Sequence, residues 1–159
     1  MDKLDVRIVI LPPMRVVCIN GFGKSPEHQA WNKLSAWAKE RNMDMWDKSH
    51  RLFGYNNPDP SPGSPNYGYD VWMTVDESVQ AEGEASIIDF PGGLFAVTRI
   101  DAGPQGEGIF ERWQELAAWV EHSKYRPEYS RRICLEESLP VKARIEGGFT
   151  LDLYEPITE

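Results

Sequence analysis

Most of the side chains that carry covalent and metal chemistry are scarce in this chain. There are two cysteines in 159 residues, Cys18 and Cys134. They lie in strand-like runs, Val16-Val17-Cys18-Ile19 and Ile133-Cys134-Leu135, and read as buried free thiols. No Cys or His spacing resembles a zinc site, so no metal is expected. The three histidines, His28, His50 and His122, lie far apart, and no Ser-His-Asp or Cys-His arrangement can be assembled around them. Long apolar runs are missing, as is a signal peptide, which predicts a cytoplasmic protein without membrane contact. Positive charge is in deficit: 17 Lys and Arg against 25 Asp and Glu give a net charge of −8. Such a surface repels phosphate backbones, so direct nucleic-acid binding is not expected, and cationic ligands are favoured over anionic ones. Phosphate-binding loops fail as well. Gly23-Lys24-Ser25 resembles the end of one, but Cys18 stands where the first glycine is required, and Pro26 offers no N–H. The glycines between Gly103 and Gly108 lack the dinucleotide spacing. No cofactor is implied.

What the chain does have is tryptophan in a pattern. Trp31-Asn-Lys-Leu34-Ser-Ala36-Trp37 returns as Trp113-Gln-Glu-Leu116-Ala-Ala118-Trp119, 82 positions later. Gly21 falls on Gly103, Pro58 on Pro140 and Asp70 on Asp152 at the same offset, giving seven identities over the 50 positions from Gly21 to Asp70. Such internal similarity predicts one domain over 1–159 made of two repeats, about 5–79 and 84–159. The alternative is two unrelated amphipathic helices that share a Trp-rich face.

Taken in order, Asp5–Leu11 and Met14–Asn20 read as strands divided by Pro12-Pro13, with Gly21-Phe22-Gly23-Lys24 as a loop. Ser25 caps a helix with Pro26 at its first position, and Ala30, Trp31, Leu34, Trp37 and Ala38 form its apolar stripe. Arg51–Tyr55 is a short strand. Four prolines between Asn56 and Asn66 exclude helix and central strand there, leaving a binding lid or a plain surface hairpin. Tyr69–Val75 follows as a strand. The second half repeats this order with strands at Ser86–Phe90 and Leu94–Ile100. A helix spans Ile109–His122 with Ile109, Trp113, Leu116, Ala117 and Val120 inward, and strands close the chain at Arg131–Glu137 and Thr150–Glu155. The expected class is α+β: a duplicated strand-helix-strand-strand module, its sheet mostly antiparallel, with two helices on one side and a ligand cavity between the copies.

One constellation carries chemistry. The 82 offset lays Phe53-Gly54 over Leu135-Glu136. If Phe53 and Leu135 face the helices, Gly54 and Glu136 face away. One copy then supplies a carboxylate and the other supplies space. Trp72 and Tyr154, at equivalent positions, would line the same face. A carboxylate among aromatics pairs with a cationic ligand, or acts as a general base.

The order and spacing of Gly21, Trp31, Leu34, Trp37, Tyr69-Asp70, Pro91-Gly92-Gly93, Gly103-Pro104 and Glu136 resemble the GyrI-like small-molecule-binding family. This is also the effector-binding domain of AraC- and MerR-type multidrug regulators. The resemblance spans about Asp5 to Ile157 and implies the duplicated module. It further implies a cavity for hydrophobic, often cationic drugs and a buried ligand-binding glutamate, for which Glu136 is the matching position. Family members usually carry Tyr two residues later, where this chain has Ser138. Stand-alone members imply either gyrase protection or hydrolysis of cyclopropane-bearing genotoxins. The residues expected to bind ligand are Glu136, Trp72, Tyr154, Gly54, Tyr69 and Phe22. Two functions stay open: sequestering or sensing of a hydrophobic cation, or a hydrolase in which Glu136 is catalytic, with Tyr154, Tyr69 or Tyr55 as its polar helper. A homodimer is compatible with the sequence, and gyrase or a separate regulator is possible as a partner without any feature that points to it.

Overall fold

The computed structural model describes residues 4–130, 132–141 and 144–159. The described elements run β1 (Arg7–Leu11), β2 (Met14–Gly23), α1 (Pro26–Glu40), β3 (Leu52–Asn56), β4 (Tyr67–Thr74), β5 (Ser86–Phe90), β6 (Gly93–Ala102), α2 (Ile109–Glu121), β7 (Arg126–Pro127), β8 (Leu135–Ser138) and β9 (Phe149–Thr158). The fold is α+β, and every ladder given below is antiparallel. Arg131, where the penultimate strand was expected to open, lies outside the described residues.

The chain divides into two compact units, Pro13–Phe90 and the first strand together with Pro91–Glu159. In the first, the strand order is β3-β4-β2-β5. In the second it is β1-β6-β9-β8, with β7 also pairing β9. The units are therefore cut differently from the repeats read in the sequence at 5–79 and 84–159. Strand β1 pairs with β6, and β5 with β2, although each is followed in the chain by a different strand. Both links run through proline, Pro12-Pro13 and Pro91, which has no N–H to close a tight hairpin.

Each unit lays one helix on one face of its sheet. In the first, Ala30, Leu34, Trp37 and Ala38 of α1 pack on Val17, Ile19, Leu52, Tyr69, Val71 and Met73, all 7% exposed or less. Pro26 is at the start of α1, and Ser25 precedes it without a side-chain cap bond. In the second, Leu116 and Val120 of α2 pack on Ala96, Ile100, Leu151, Leu153 and Ile157, with Trp113 and Trp119 half-buried at the margin. Ala117, expected inward, is exposed.

Strand β2 runs on through Gly21, Phe22 and Gly23, where a loop was expected. Gly21 permits this: a Cβ there would lie 2.4 Å from the Pro26 carbonyl oxygen, so only glycine lets the helix start this close to the strand. The proline-rich residues 56–66 are exposed and form the hairpin connection between neighbouring strands β3 and β4.

Candidate functional site

Strand alternation sorts each sheet into a side covered by its helix and a helix-free side. On the helix-free side of the first unit, Trp72 is the centre of an aromatic group. Tyr55 stands edge-on at 5.4 Å and Phe53 at 6.5 Å, and Phe90 is tilted against it at 5.5 Å. Phe53 and Trp72 are buried. Beside them the buried Asp70 accepts hydrogen bonds from Asn20 Nδ2 at 2.6 Å, Asn57 Nδ2 at 2.9 Å and the Tyr55 hydroxyl. All three donors are neutral. Burial, and then the Asp70 charge, push the Cys18 thiol up to about 12, so it stays protonated and inert at neutral pH. The Trp72 N–H is close enough to Cys18 and Tyr55 to bias them, yet makes no hydrogen bond of normal geometry.

The helix-free side of the second unit is charged. Tyr154 donates its hydroxyl proton to Glu137 Oε1 at 2.6 Å, with 3% of the tyrosine and 7% of the glutamate exposed. Phe95 stands edge-on to Tyr154 at 5.7 Å, and Leu135 lies opposite Tyr154 in the ladder. Asp152, opposite Glu137, is gripped by Arg99 through Nε at 2.8 Å and Nη2 at 3.2 Å, and by Arg7 Nη2 at 2.9 Å. That bond to Asp152 raises the Arg99 guanidinium above its ordinary value.

The expected site residues divide between the two sides. Trp72 and Tyr154 stand on the helix-free side, at equivalent ladder positions. Phe22 is on that side by alternation, at the end of β2, and is 53% exposed. Glu136 is not there. Its Oε2 accepts a hydrogen bond from the Trp113 indole N–H at 3.2 Å, so it faces α2. The reason is one residue of register. Leu135 and Phe53 take the helix-free side with Tyr154 and Trp72, so Glu136 and Gly54 turn to the helices. Gly54 does not leave open volume either: a Cβ there would meet the Tyr69 hydroxyl oxygen at 2.1 Å. Tyr69 fills that space as part of the helix-covered core, so Gly54 and Tyr69 stand away from the helix-free aromatics.

Sequence reading missed Glu137, Arg7, Arg99 and the partners of Asp70. A signal existed for Glu137. It and Tyr154 pair with the ladder of the second unit as Tyr55 and Trp72 do with that of the first, a pair of positions that share a face with the aromatics. Among the described residues no helix is long and apolar enough to cross a membrane, and no group of three or more His, Cys, Asp and Glu is arranged to hold a metal ion.

The fold has relatives of known structure. The C-terminal domain of EcmrR superposes with a TM-score of 0.73 at 12% identity, over 98% of both chains. In the EcmrR–DNA complex this chain spans only 57% of the EcmrR chain. A hydrolase from Listeria innocua superposes at 0.65 with 15% identity, over 99% of this chain and 94% of that one. SAV2435, solved with tetraphenylphosphonium bound, superposes at 0.59 with 10% identity, over 98% and 94%. No curated protein matches the chain. The model of the GyrI-like small molecule binding domain matches residues 4–145, nearly the whole length. The chain belongs to the GyrI-like family of small-molecule-binding domains.

Proposed function

We propose that this protein binds a hydrophobic, cationic small molecule against the helix-free face of its second unit, with Glu137 as the counter-charge. The observation that carries this is the buried Tyr154–Glu137 pair set among Phe95 and Leu135. A carboxylate largely removed from water remains costly even with the Tyr154 bond and the Arg99 charge near it, and a ligand cation lowers that cost. The role that family resemblance gave to Glu136 falls on its neighbour, because Glu136 is engaged with α2. The tetraphenylphosphonium held by a protein of the same fold supports the ligand class. On this reading the protein sequesters or senses such compounds in the cytoplasm.

Calorimetric titration with tetraphenylphosphonium and with neutral triphenylphosphine oxide tests it. Glu137→Gln keeps the shape and removes the charge. It should weaken the cation by about 2–3 kcal/mol, the Coulomb energy of charges roughly 6–8 Å apart at an effective dielectric near 20, and spare the neutral compound. Glu136→Gln should change neither. Wild-type affinity for the cation in Glu137→Gln rejects the assignment.

The same hydrogen bond favours a second reading. A carboxylate held by a tyrosine hydroxyl can deprotonate water beside an electrophilic carbon, which would make the protein a hydrolase of strained, cyclopropane-type electrophiles. Under it, Glu137→Gln should bind substrate normally and lose about a hundredfold or more in turnover.

A further inference from the structure

The charged row beside Glu137 has no part in binding a simple cation. Across neighbouring strands β8, β9 and β6 stand Glu137, Asp152 and Arg99, each opposite the next in register. Arg7, on β1 opposite Val97, reaches the same Asp152. The carboxylate of Asp152 is 5% exposed, whereas the side chains of Arg7 and Arg99 are 49% and 56% exposed. A buried acid thus holds two guanidiniums at the surface of the helix-free face. Arg7 gives Asp152 one nitrogen and Arg99 gives it two, so each fork keeps N–H donors pointing elsewhere. The buried Asp152 needs these partners, and the N–H groups they do not spend on it stay at the surface, where a second anion can meet them.

We propose that Arg7 and Arg99 form an anion subsite, so that the ligand of this face is a zwitterion. Its cationic centre approaches Glu137, and its carboxylate bridges the two guanidiniums. This rests on the reading of Glu137 given above. The strand spacing bounds the reach: Glu137 and Arg99 are two strands apart and Arg99 leans onto Asp152 between them, so the ligand's charges are separated by less than about 10 Å. Guanidinium pairs suit a carboxylate because they meet it with parallel N–H bonds. The first unit offers no equivalent. Asn20 stands where Arg99 stands in the ladder, and Asp70 is held by neutral groups alone.

The probes are rhodamine 19, which carries a free carboxylate, and its ethyl ester rhodamine 6G, which carries only the cation. Fluorescence anisotropy gives both dissociation constants at low salt. The wild type should prefer the acid by about tenfold, near 1.4 kcal/mol. Arg99→Gln and Arg7→Gln should each reduce that preference toward unity. A role confined to holding β1, β6 and β9 together is separated by Asp152→Asn, which frees both guanidiniums. It should raise the preference for the acid above wild type, where a structural role predicts no change in the ratio. Circular dichroism checks that each variant is folded, and Asp152→Asn carries the test if an arginine variant is not. Equal affinity for the two dyes in the wild type, with a ratio unmoved by Asp152→Asn, overturns the zwitterion and leaves the cation site standing. Binding of neither dye overturns the cation site, and this proposal with it.

Discussion

The two units carry the same ladder with opposite chemistry. Opposite Trp72 in β4 stands Phe53, and opposite Tyr154 in β9 stands Leu135. One step on, Gly54 answers to Glu136, and a further step brings Tyr55 against Asp70 and Glu137 against Asp152. In the first unit these positions are filled by rings and neutral donors: Tyr69 over Gly54, Trp72 among three aromatics, Asp70 held by two amides and a phenol. In the second they hold a glutamate on each side of one short strand, Glu136 bound by the Trp113 indole and Glu137 by the Tyr154 phenol. The fold tolerates both fillings because strand pairing is made by the backbone, and each side chain needs only a local partner. The contrast is why the proposed function is placed on the second unit.

The comparison is tested first at the cores, where the units should behave alike. Leu34 in α1 and Leu116 in α2 are both fully buried. Leu34→Ala and Leu116→Ala should each destabilise by about 2–5 kcal/mol in urea unfolding, the range for emptying a packed core site. A cost below about 1 kcal/mol in one of them would show that its helix is not packed as described. Next comes the pair that should differ. Gly54→Ala puts a Cβ into the buried Tyr69 ring and should cost about 1–3 kcal/mol, as overpacking does. Glu136→Ala, at the matching position, removes the Trp113 hydrogen bond of a half-buried side chain and should cost about 0.5–1.5 kcal/mol. A reversed order would mean that Gly54 has room to spare, as the sequence first suggested.

Much of this arrangement was legible in the chain. The Trp stripes located both helices, and alternation located most strands to within a few residues. The 82 offset also placed Trp72 with Tyr154 and Gly54 with Glu136, as the ladders do. It fails earlier in each unit. Asn20 faces Asp70 while Arg99 faces Asp152, an offset of 79 from Asn20 to Arg99, so Gly21 answers to Ile100 and not to Gly103. Three further residues therefore lie between strand and helix in the second unit, and an ungapped alignment cannot show that. The side taken by Glu136 was not legible for a different reason. Leu135-Glu136-Glu137-Ser138 is four residues long with adjacent glutamates, and a slip of one residue exchanges their faces. Strands as short as this give alternation too little length to decide. The pairing of β1 with β6 joins residues about 90 apart in sequence, which no local pattern records.

The smallest expected effect is also the most selective. Glu155 is 3% exposed and accepts a hydrogen bond from the Tyr129 hydroxyl, while its Oε2 has no partner. Desolvation raises its pKa, and the Tyr129 bond opposes that only in part. In the first unit the matching position is Met73, fully buried and opposite Val17 as Glu155 is opposite Ala96. Glu155→Met therefore imports the solution of the first unit into the second. An acid whose pKa is raised by folding favours the folded state while it is protonated. That contribution is fully present below the ordinary carboxylate range and is lost as pH rises through the raised folded value. Methionine does not titrate. Wild type and Glu155→Met should thus differ least near pH 4, and the variant should gain on wild type as the pH rises past the folded value, the difference then levelling off. Tyr129 is 57% exposed, so water replaces its lost acceptor at little cost. Thermal melts of both proteins from pH 4 to 8 measure the effect. A gap that stays constant with pH would mean that Glu155 is ionised alike in the folded and unfolded chain. A wild type that gains on the variant as pH rises would mean that a cation meets Glu155 in the folded protein.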